Sequence, residues 1–235
     1  MQSTRMDEPG ELYIVSTPIG NLMDITLRAL EVLRRVDYII CEDTRVTIKL
    51  LNRYDIKKPL ISHHSKSGDV VLRKILRLVL SGNSAALVTD SGTPVVSDPG
   101  AKLIRHLIKS EVPVIPVPGP SSVHTALVAS GFLVNEYTFI GFISNKASRR
   151  RRRLEELKNK ATIFVFFESP HRIIPFLQDA GEAFGKVQIC VAKEMTKKFE
   201  KYYRGVIPEV IERVGEDIVK GEYTIIIDNR AGIGL

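Results

Sequence analysis

The stretch AALVTDSGTPVVSDPG, Ala85–Gly100, decides how the fold of this chain is interpreted. It begins with apolar, strand-forming residues and continues as a loop rich in aspartate, glycine, threonine and proline. A helix is predicted to follow, with Asp98 as its N-cap and Pro99 as its first residue. Open α/β sheets bind ligands at the carboxyl ends of their strands, so this loop is a candidate site. The alternative is an ordinary strand-to-helix turn whose glycine and proline residues only set backbone angles.

Strands, loops and helices alternate in the same way through the first half of the chain. The pattern predicts further apolar strands at Leu12–Val15, Tyr38–Cys41, Leu60–Ser62 and Val112–Val117. Polar or Gly/Pro-rich loops follow them, and amphipathic helices follow the loops. This alternation predicts an α/β domain with a mainly parallel sheet.

Three of the strand-end loops lack charged residues that bind phosphate. They are Ser16–Asn21, the loop within Ala85–Gly100, and Pro118–Ser122. The dinucleotide pattern G-x-G-x-x-G is absent, since Gly20 stands alone after the first strand. The loops therefore favour a neutral or cationic small ligand held by backbone contacts.

The character of the chain changes near Pro116–Pro120, which predicts domains at 11–117 and 118–229 with tails at 1–10 and 230–235. In the second half several strands follow one another with little helix between them, so antiparallel pairs and a mixed sheet are expected. One of these strands ends at Glu168, after which Ser169 is the predicted N-cap of a helix and Pro170 its first residue.

Composition narrows the class of protein. The chain has 235 residues and a net charge of +7, which suits a polyanionic partner such as nucleic acid. No apolar run approaches the ~18 residues of a membrane-spanning helix. Cys41 and Cys190 each end an apolar run far apart in the sequence, which predicts buried free thiols of a cytoplasmic protein. The pair His63 and His64 lacks a third ligand at metal-binding spacing, so no metal is predicted.

Most of the net positive charge can be assigned to one run of arginines. Its members are Arg149, Arg150, Arg151, Arg152 and Arg153. Five consecutive arginines spread around a helix, and we expect a concentrated positive surface that binds RNA phosphates without sequence preference. A solvated helix surface is the alternative.

Seven blocks of sequence, in this order, resemble one family. They are TPIGNLMDIT (Thr17–Thr26), CEDTR (Cys41–Arg45), LVTDSGTPVVSDPG (Leu87–Gly100), PVPGPSS (Pro116–Ser122), FESPHR (Phe167–Arg172), AKEMTKKFE (Ala192–Glu200) and GEYTIII (Gly221–Ile227). The chain is similar in these blocks to the ribosomal RNA small subunit methyltransferase I family, of the tetrapyrrole-methylase superfamily. The resemblance implies a homodimer of two-domain α/β subunits that binds S-adenosylmethionine in the cleft between the domains. It also implies methylation of a cytidine ribose 2′-hydroxyl in the decoding region of small-subunit ribosomal RNA, free or in the assembled subunit.

The resemblance also implies which residues form the site. On the cofactor side these are Pro18, Ile19, Gly20, Asp90, Ser91, Gly92, Thr93, Pro94, Val96, Ser97, Ser121, Ser122, Gly141, Phe167, Ala192, Gly221, Glu222 and Tyr223. On the substrate side we expect Asp43, Arg45, Glu168, Lys193 and Glu194 to serve catalysis, with no base assigned among them. Two alternatives remain: methylation of a tetrapyrrole or a modified protein side chain, and a non-catalytic RNA-binding protein on this fold.

Overall fold

The computed structural model of the chain describes residues 9–217 and 220–230. The chain divides into two compact units between Ser121 and Ser122. The sequence analysis places this boundary between residues 117 and 118, and those limits stay a prediction. The predicted tails, 1–10 and 230–235, lie outside the described residues except for Pro9, Gly10 and Arg230. Gly10 is buried and its amide donates a hydrogen bond to the carbonyl of Val79 over 2.8 Å.

The first unit is built on a five-stranded parallel sheet. Its strands are β1 (Leu12–Val15), β2 (Tyr38–Cys41), β3 (Leu60–Ser62), β4 (Ala85–Leu87) and β5 (Val114–Val117). Its helices are α1 (Leu27–Arg35), α2 (Thr44–Arg53), α3 (Asp69–Leu80) and α4 (Ala101–Lys109), with a 3-10 turn at Leu22–Asp24 before α1. The strands lie in the order β3-β2-β4-β1-β5 and every neighbouring pair is parallel. The predicted parallel sheet is confirmed.

Helices cover both faces of this sheet, because successive side chains of a strand point to opposite faces. Tyr13 and Val15 pack with α1 and α2, whereas Leu12 packs with α3 and α4. The loops after β1 and β2 therefore lead to one face, and the loop after β4 leads to the other. At the carboxyl end of β4, its connection therefore diverges from the connections of both neighbouring strands, β2 and β1. Open α/β sheets form a ligand-binding crevice at such a point.

The second unit has a mixed five-stranded sheet, as predicted. Its elements are α5 (Ser122–Ser130), β6 (Tyr137–Gly141), α6 (Ala147–Lys158), β7 (Ile163–Glu168), α7 (Ile173–Phe184), β8 (Gln188–Lys193), β9 (Lys201–Val206), α8 (Ile207–Gly215) and β10 (Tyr223–Asp228). The order is β6-β7-β10-β8-β9, parallel between β6 and β7 and antiparallel elsewhere. Helices α6, α7 and α8 share one core with the strands, which includes Phe164, Phe166 and Phe176. Helix α5 packs against β8 and β10.

Two predicted helix starts are wrong. Helix α4 begins at Ala101 behind Gly100, and the carboxylate of Asp98 instead accepts a hydrogen bond from the hydroxyl of Thr89 over 2.9 Å. Helix α7 begins at Ile173 behind Arg172, not at Pro170. In both places the side chains before the helix are engaged in the strand-end loop, which overrides the local capping preference.

The predicted buried thiols are confirmed, since Cys41 and Cys190 are both free and buried. Across residues 9–217 and 220–230, no helix combines the length and the apolar composition that crossing a membrane requires. Within the same residues no group of three or more His, Cys, Asp or Glu side chains is arranged to hold a metal ion.

The arginine run of α6 is only partly a surface feature. Arg150 is buried, and its Nε and Nη2 each lie 2.6 Å from Oδ2 of the buried Asp179 on α7. Arg151 contributes a further contact to the same carboxylate, at 2.8 Å. The expectation of five exposed arginines is therefore wrong for Arg150, because its side chain lies on the face of α6 that packs against α7. Arg152 and Arg153 are exposed and contact Glu156.

Asp179→Ala should lower the free energy of unfolding by about 3–5 kcal/mol, because it leaves the Arg150 guanidinium buried without its counter-charge. Glu156→Ala, which removes the partner of exposed arginines on the same helix, should cost less than about 1 kcal/mol. Urea denaturation of the two variants and the wild type measures both values. Equal effects in the two variants would contradict a structural role for the Arg150–Asp179 pair.

Candidate active site

Hydrogen bonds join the loops after β1 and β4 at the carboxyl edge of the sheet, where these loops lead to helices on opposite faces. The amide of Thr17 donates to the carbonyl of Gly92 over 2.8 Å, and the amide of Gly92 donates back to the carbonyl of Thr17 over 3.1 Å. The Thr17 hydroxyl also donates to the carbonyl of Thr89 at 3.0 Å. Gly92 has φ +82°, and a Cβ there would lie 3.3 Å from Cγ2 of Ile19. Glycine at 92 therefore serves both the backbone conformation and the close approach of the two loops.

The loop after β5 joins the same group. The Thr93 hydroxyl donates to the carbonyl of Pro120 over 3.1 Å and shares a 3.0 Å hydrogen bond with the hydroxyl of Ser16. A Cβ on Gly119 would lie 3.1 Å from Cβ of Ser16. Loops that are far apart in sequence thus form one continuous wall at the carboxyl edge of the sheet.

Strained backbone marks the second half of the β4 loop. Val95 and Ser97 have φ values of +74° and +68°, in the left-handed region that side chains with a Cβ disfavour. Such conformations cost of order 1–3 kcal/mol each and persist where surrounding contacts enforce them, most often in functional loops. Ser97 is itself a predicted cofactor residue, and the predicted residue Val96 lies between the two strained positions.

The loop after β2 contributes acidic groups to this wall. The amide of Asp43 donates to Oδ1 of Asp90 over 3.1 Å. Burial and the neighbouring carboxylates Asp90 and Asp98 raise the pKa of Glu42. Burial likewise raises the pKa of Asp90 and of Asp98. The cluster Glu42, Asp90 and Asp98, hereafter the acidic cluster, favours protons and cations over anions.

Asp43 and Arg45 form a well-defined pair at the start of α2. The Asp43 carboxylate caps the helix by accepting the amide of Arg45 over 2.8 Å, and it also accepts Nε of the same residue at 3.0 Å. Nη2 of Arg45 lies 2.5 Å from Oδ2. These hydrogen bonds lower the pKa of Asp43 to about 2. Arg45 remains 86% exposed, so the pair presents an oriented guanidinium to solvent.

In the second unit the predicted residues lie along one edge of the sheet. The carboxyl ends of β6, β7 and β8 share this edge with the start of β10, because β10 runs antiparallel to both neighbours. In the register, Tyr223 pairs with Glu168 on one side and with Lys193 on the other. Gly141 ends β6 at the same edge, and Phe167 is the next-to-last residue of β7.

Glu168 and Lys193 are held inside this edge. The Glu168 side chain is fully buried and accepts Nη2 of Arg172 over 2.7 Å and the amide of Ser169 over 2.7 Å. Lys193 is also buried and donates to Asp217 over 2.8 Å. Asp217 also accepts the Tyr203 hydroxyl. Neither predicted catalytic side chain faces open solvent.

Glu194 connects two of the predicted segments. Its carboxylate accepts the amide of Glu222 over 2.9 Å and contacts Nζ of Lys197 at 2.9 Å. Hydrogen bonds from Lys197 and from the Glu222 amide lower the pKa of Glu194, although its partial burial opposes them as the largest single influence. A Cβ on Gly221, which has φ +92°, would lie 2.3 Å from Cδ of Glu194. Gly221 is thus required by both its conformation and its neighbour.

The structure brings the predicted residues into two groups, one in each unit. The first contains Pro18, Ile19, Gly20, Asp43, Arg45, Ser121 and the segment 90–97. The second contains Ser122, Gly141, Phe167, Glu168, Ala192, Lys193, Glu194, Gly221, Glu222 and Tyr223. Asp217 was missed by sequence reasoning, and no local motif marks it. Ser16 and Thr17 had a usable signal, since they open the first strand-end loop.

Comparison with known proteins agrees with this architecture. Residues 11–211 match the family model for tetrapyrrole (corrin/porphyrin) methylases. The structure of uroporphyrin-III C-methyl transferase from Thermus thermophilus, complexed with S-adenyl homocysteine, superposes with a TM-score of 0.65 at 16% identity, covering 94% of this chain and 98% of that one. The fold is therefore that of a tetrapyrrole methylase.

Closer relatives define the family. Ribosomal RNA small subunit methyltransferase I of Mycoplasmopsis pulmonis is 46% identical over 92% of this chain and 96% of its own length. The protein of the same name from Thermotoga maritima is 42% identical over 94% of this chain and 99% of its own. The chain belongs to the ribosomal RNA small subunit methyltransferase I family, within the tetrapyrrole methylases.

The Asp43–Arg45 pair predicts a specific titration. Because the hydrogen bonds from Arg45 stabilise the carboxylate, Asp43 should stay ionised down to pH about 2. The contribution of the ionised Asp43 to folding stability is fully present above the carboxyl pKa of the unfolded chain, about 3.9. This contribution is lost as the pH falls through the lower pKa of Asp43 in the folded protein. In Arg45→Gln the Asp43 pKa should rise toward about 3.9. Carboxyl-detected NMR of both proteins measures the shift, and an unchanged pKa in the variant would contradict the assignment.

Proposed function

We propose that this protein transfers a methyl group from S-adenosylmethionine to the ribose 2′-hydroxyl of a cytidine in small-subunit ribosomal RNA. The single observation that carries the cofactor assignment is that Asp90 and Asp98 of the acidic cluster lie among strand-end loops that contain no lysine or arginine. The segments 16–21, 88–100 and 118–121 are without either residue, although the chain has 34 of them. Carboxylates suit a positively charged sulfonium, and the relatives' names support ribosomal RNA as the acceptor.

The residues of the first group fit this cofactor by their chemistry. Close-packed loops with a glycine at 92 leave little room for side chains, so a ligand there meets main chain and small hydroxyls. We assign the cofactor contacts to Pro18, Ile19, Gly20, Asp90, Ser91, Gly92, Thr93, Pro94, Val96, Ser97, Ser121 and Ser122, and from the second unit to Gly141, Phe167, Ala192, Gly221, Glu222 and Tyr223. When bound, S-adenosylmethionine supplies a methyl group on a positively charged sulfur.

The chain's own contribution is alignment of the attacking ribose. A methyl transfer of this kind needs the hydroxyl oxygen in line with the methyl group, and positioning of two reactants supplies most of the acceleration. Asp43 is a weak base at a pKa of about 2, so its role is to position Arg45 toward the RNA. Glu194, held by Glu222 and Lys197, is the substrate-side carboxylate of the second unit. Glu168 and Lys193 are buried and act through Arg172 and Asp217.

The test is transfer of labelled methyl groups to small subunits, and to their naked RNA, isolated from cells that lack the modification. Digestion to nucleosides followed by mass spectrometry should find the added mass on the ribose of one cytidine. Methyl groups on a base, or transfer to a tetrapyrrole and not to RNA, would contradict the proposal. The predicted homodimer and cytoplasmic location stay predictions.

Asp43→Asn and Glu194→Gln should reduce methyl transfer by about tenfold or more, while calorimetric binding of S-adenosylhomocysteine is retained. Asparagine is as good an N-cap as aspartate, so the first variant removes the charge pair and keeps the helix start. For Asp43→Asn the KM for RNA should rise more than kcat falls, because the positioned Arg45 contacts substrate. Loss of cofactor binding in either variant would refute the substrate-side assignment.

Arg149, Arg152 and Arg153 are the exposed arginines of α6 that we propose contact RNA, with Arg151 as a lesser contributor since Asp179 holds it. Replacing Arg149, Arg152 and Arg153 together with Gln should weaken RNA binding and reduce the slope of log affinity against log salt by up to about 2–3. Arg150 is left in place because it supports the fold.

A matched control for this variant removes three cations from helices α3 and α4 of the first unit. Arg77 and Lys109 are exposed in the last turns of α3 and α4, away from the strand-end loops that precede these helices, and Arg105 is exposed one turn before Lys109. Their replacement with Gln changes the net charge equally and should leave the slope nearly unchanged. Equal slopes in the two triple variants would make the arginine run a plain solvated surface.

A further inference from the structure

The exposed phenylalanine after β6 is the feature that the proposed function does not yet use. Phe142 is 59% exposed, although aromatic rings of this size are normally covered. It immediately follows Gly141, at the same sheet edge as Glu168 and Tyr223.

The ring of Phe142 packs against the ring of Phe167, which in turn packs against the ring of Phe139. Its centroid lies 5.5 Å from that of Phe167 with an interplanar angle of 61°, and Phe167 lies 5.1 Å from Phe139 at 66°. These edge-to-face contacts fix the rings without stacking them. With the residue 59% exposed, much of Phe142 remains accessible to a ligand.

The backbone beside Phe142 is anchored by the buried ion pair of the FESPHR block. Nη2 of Arg172 donates to the carbonyl of Ile143 over 2.9 Å and to Glu168 over 2.7 Å. Glu168 is itself fully buried. The pair therefore fixes the position of the residue that follows Phe142, and a supported ring on an anchored loop loses little freedom when a flat ligand stacks on it.

The charge of the adjacent segment indicates what kind of ligand that is. Lys146 and Arg149 are exposed and follow Phe142 by four and seven residues in the sequence, at the start of α6. Neighbouring aromatic and basic side chains are the combination that binds single-stranded RNA, since the ring stacks on a base while the cations contact phosphates.

We propose that Phe142 is the stacking platform for an unstacked base of the RNA substrate. The inference rests on the proposed function for the identity of the polymer. It assigns to Glu168 and Arg172 a positioning role through the Ile143 carbonyl. The adenine of the cofactor is the competing flat ligand, and the experiment separates the two.

The variants are Phe142→Leu, which keeps an apolar side chain but has no ring, and Phe142→Tyr, which keeps the ring. Leu133→Ala is the control for loss of exposed apolar surface in the same unit, since Leu133 is 73% exposed and belongs to no predicted site. Thermal unfolding of each variant checks that the fold is retained.

Steady-state methyl transfer to unmethylated small-subunit RNA is the first measurement. Phe142→Leu should raise the KM for RNA about tenfold with a smaller effect on kcat, whereas Phe142→Tyr should stay within about twofold of wild type. Leu133→Ala should match the wild type. Wild-type kinetics in Phe142→Leu would overturn the proposal.

Two binding measurements complete the test. Calorimetry with S-adenosylhomocysteine should give the wild-type affinity for Phe142→Leu, and a loss there would reassign the ring to the cofactor and overturn the proposal. The fluorescence of a single-stranded oligoribonucleotide that carries 2-aminopurine should be quenched by wild type and by Phe142→Tyr but not by Phe142→Leu. This last result stands even where wild type transfers no methyl to RNA, so failure of the proposed function is distinguishable from failure of the platform.

Discussion

The paired backbone hydrogen bonds between Thr17 and Gly92 are the constraint on which the first unit's site depends. They join the loops of β1 and β4 at the point where their connections leave for opposite faces of the sheet. Without this bridge the crevice at the switch point would open between two independent loops. With it, Thr93 can reach the β5 loop, and Asp90 can accept the amide of Asp43. One short antiparallel contact thus links, directly or through these neighbours, four of the five strand-end loops of the first unit.

The second unit is organised by buried charge. It contains three ion pairs in which at least one partner is buried: Arg150 with Asp179, Glu168 with Arg172, and Lys193 with Asp217. Such pairs add little net stability compared with apolar packing, but they are costly to break singly, and so they hold one arrangement of the side chains around them. Their effect here is to fix α6 against α7 and to fix the loop after β7.

Much of the fold could be predicted because its signals are local. Alternating apolar strands and amphipathic helices identify both sheets, and Gly92 and Gly221 stand where loops approach closely. The errors share one cause, which is competition from tertiary contacts. Asp98 looks like a helix cap but bonds to Thr89, and Arg150 looks like one of five surface arginines but turns to Asp179, 29 residues away. Asp217 has no sequence signal at all, since only the fold brings it beside Lys193.

The distribution of charge connects these observations to the chemistry. Asp90 and Asp98 of the acidic cluster lie in the first unit, in a loop without lysine or arginine, and the exposed arginines of α6 lie in the second. Carboxylates that attract a sulfonium would repel RNA phosphates at the same distance, so one surface cannot serve both ligands. Placing the anionic and cationic groups in different units resolves this conflict. Arg45, oriented by Asp43, is an exposed guanidinium three residues after Glu42 of the acidic cluster, and under the proposed function it would neutralise an approaching phosphate there, which gives the CEDTR block a reason to combine acid and base.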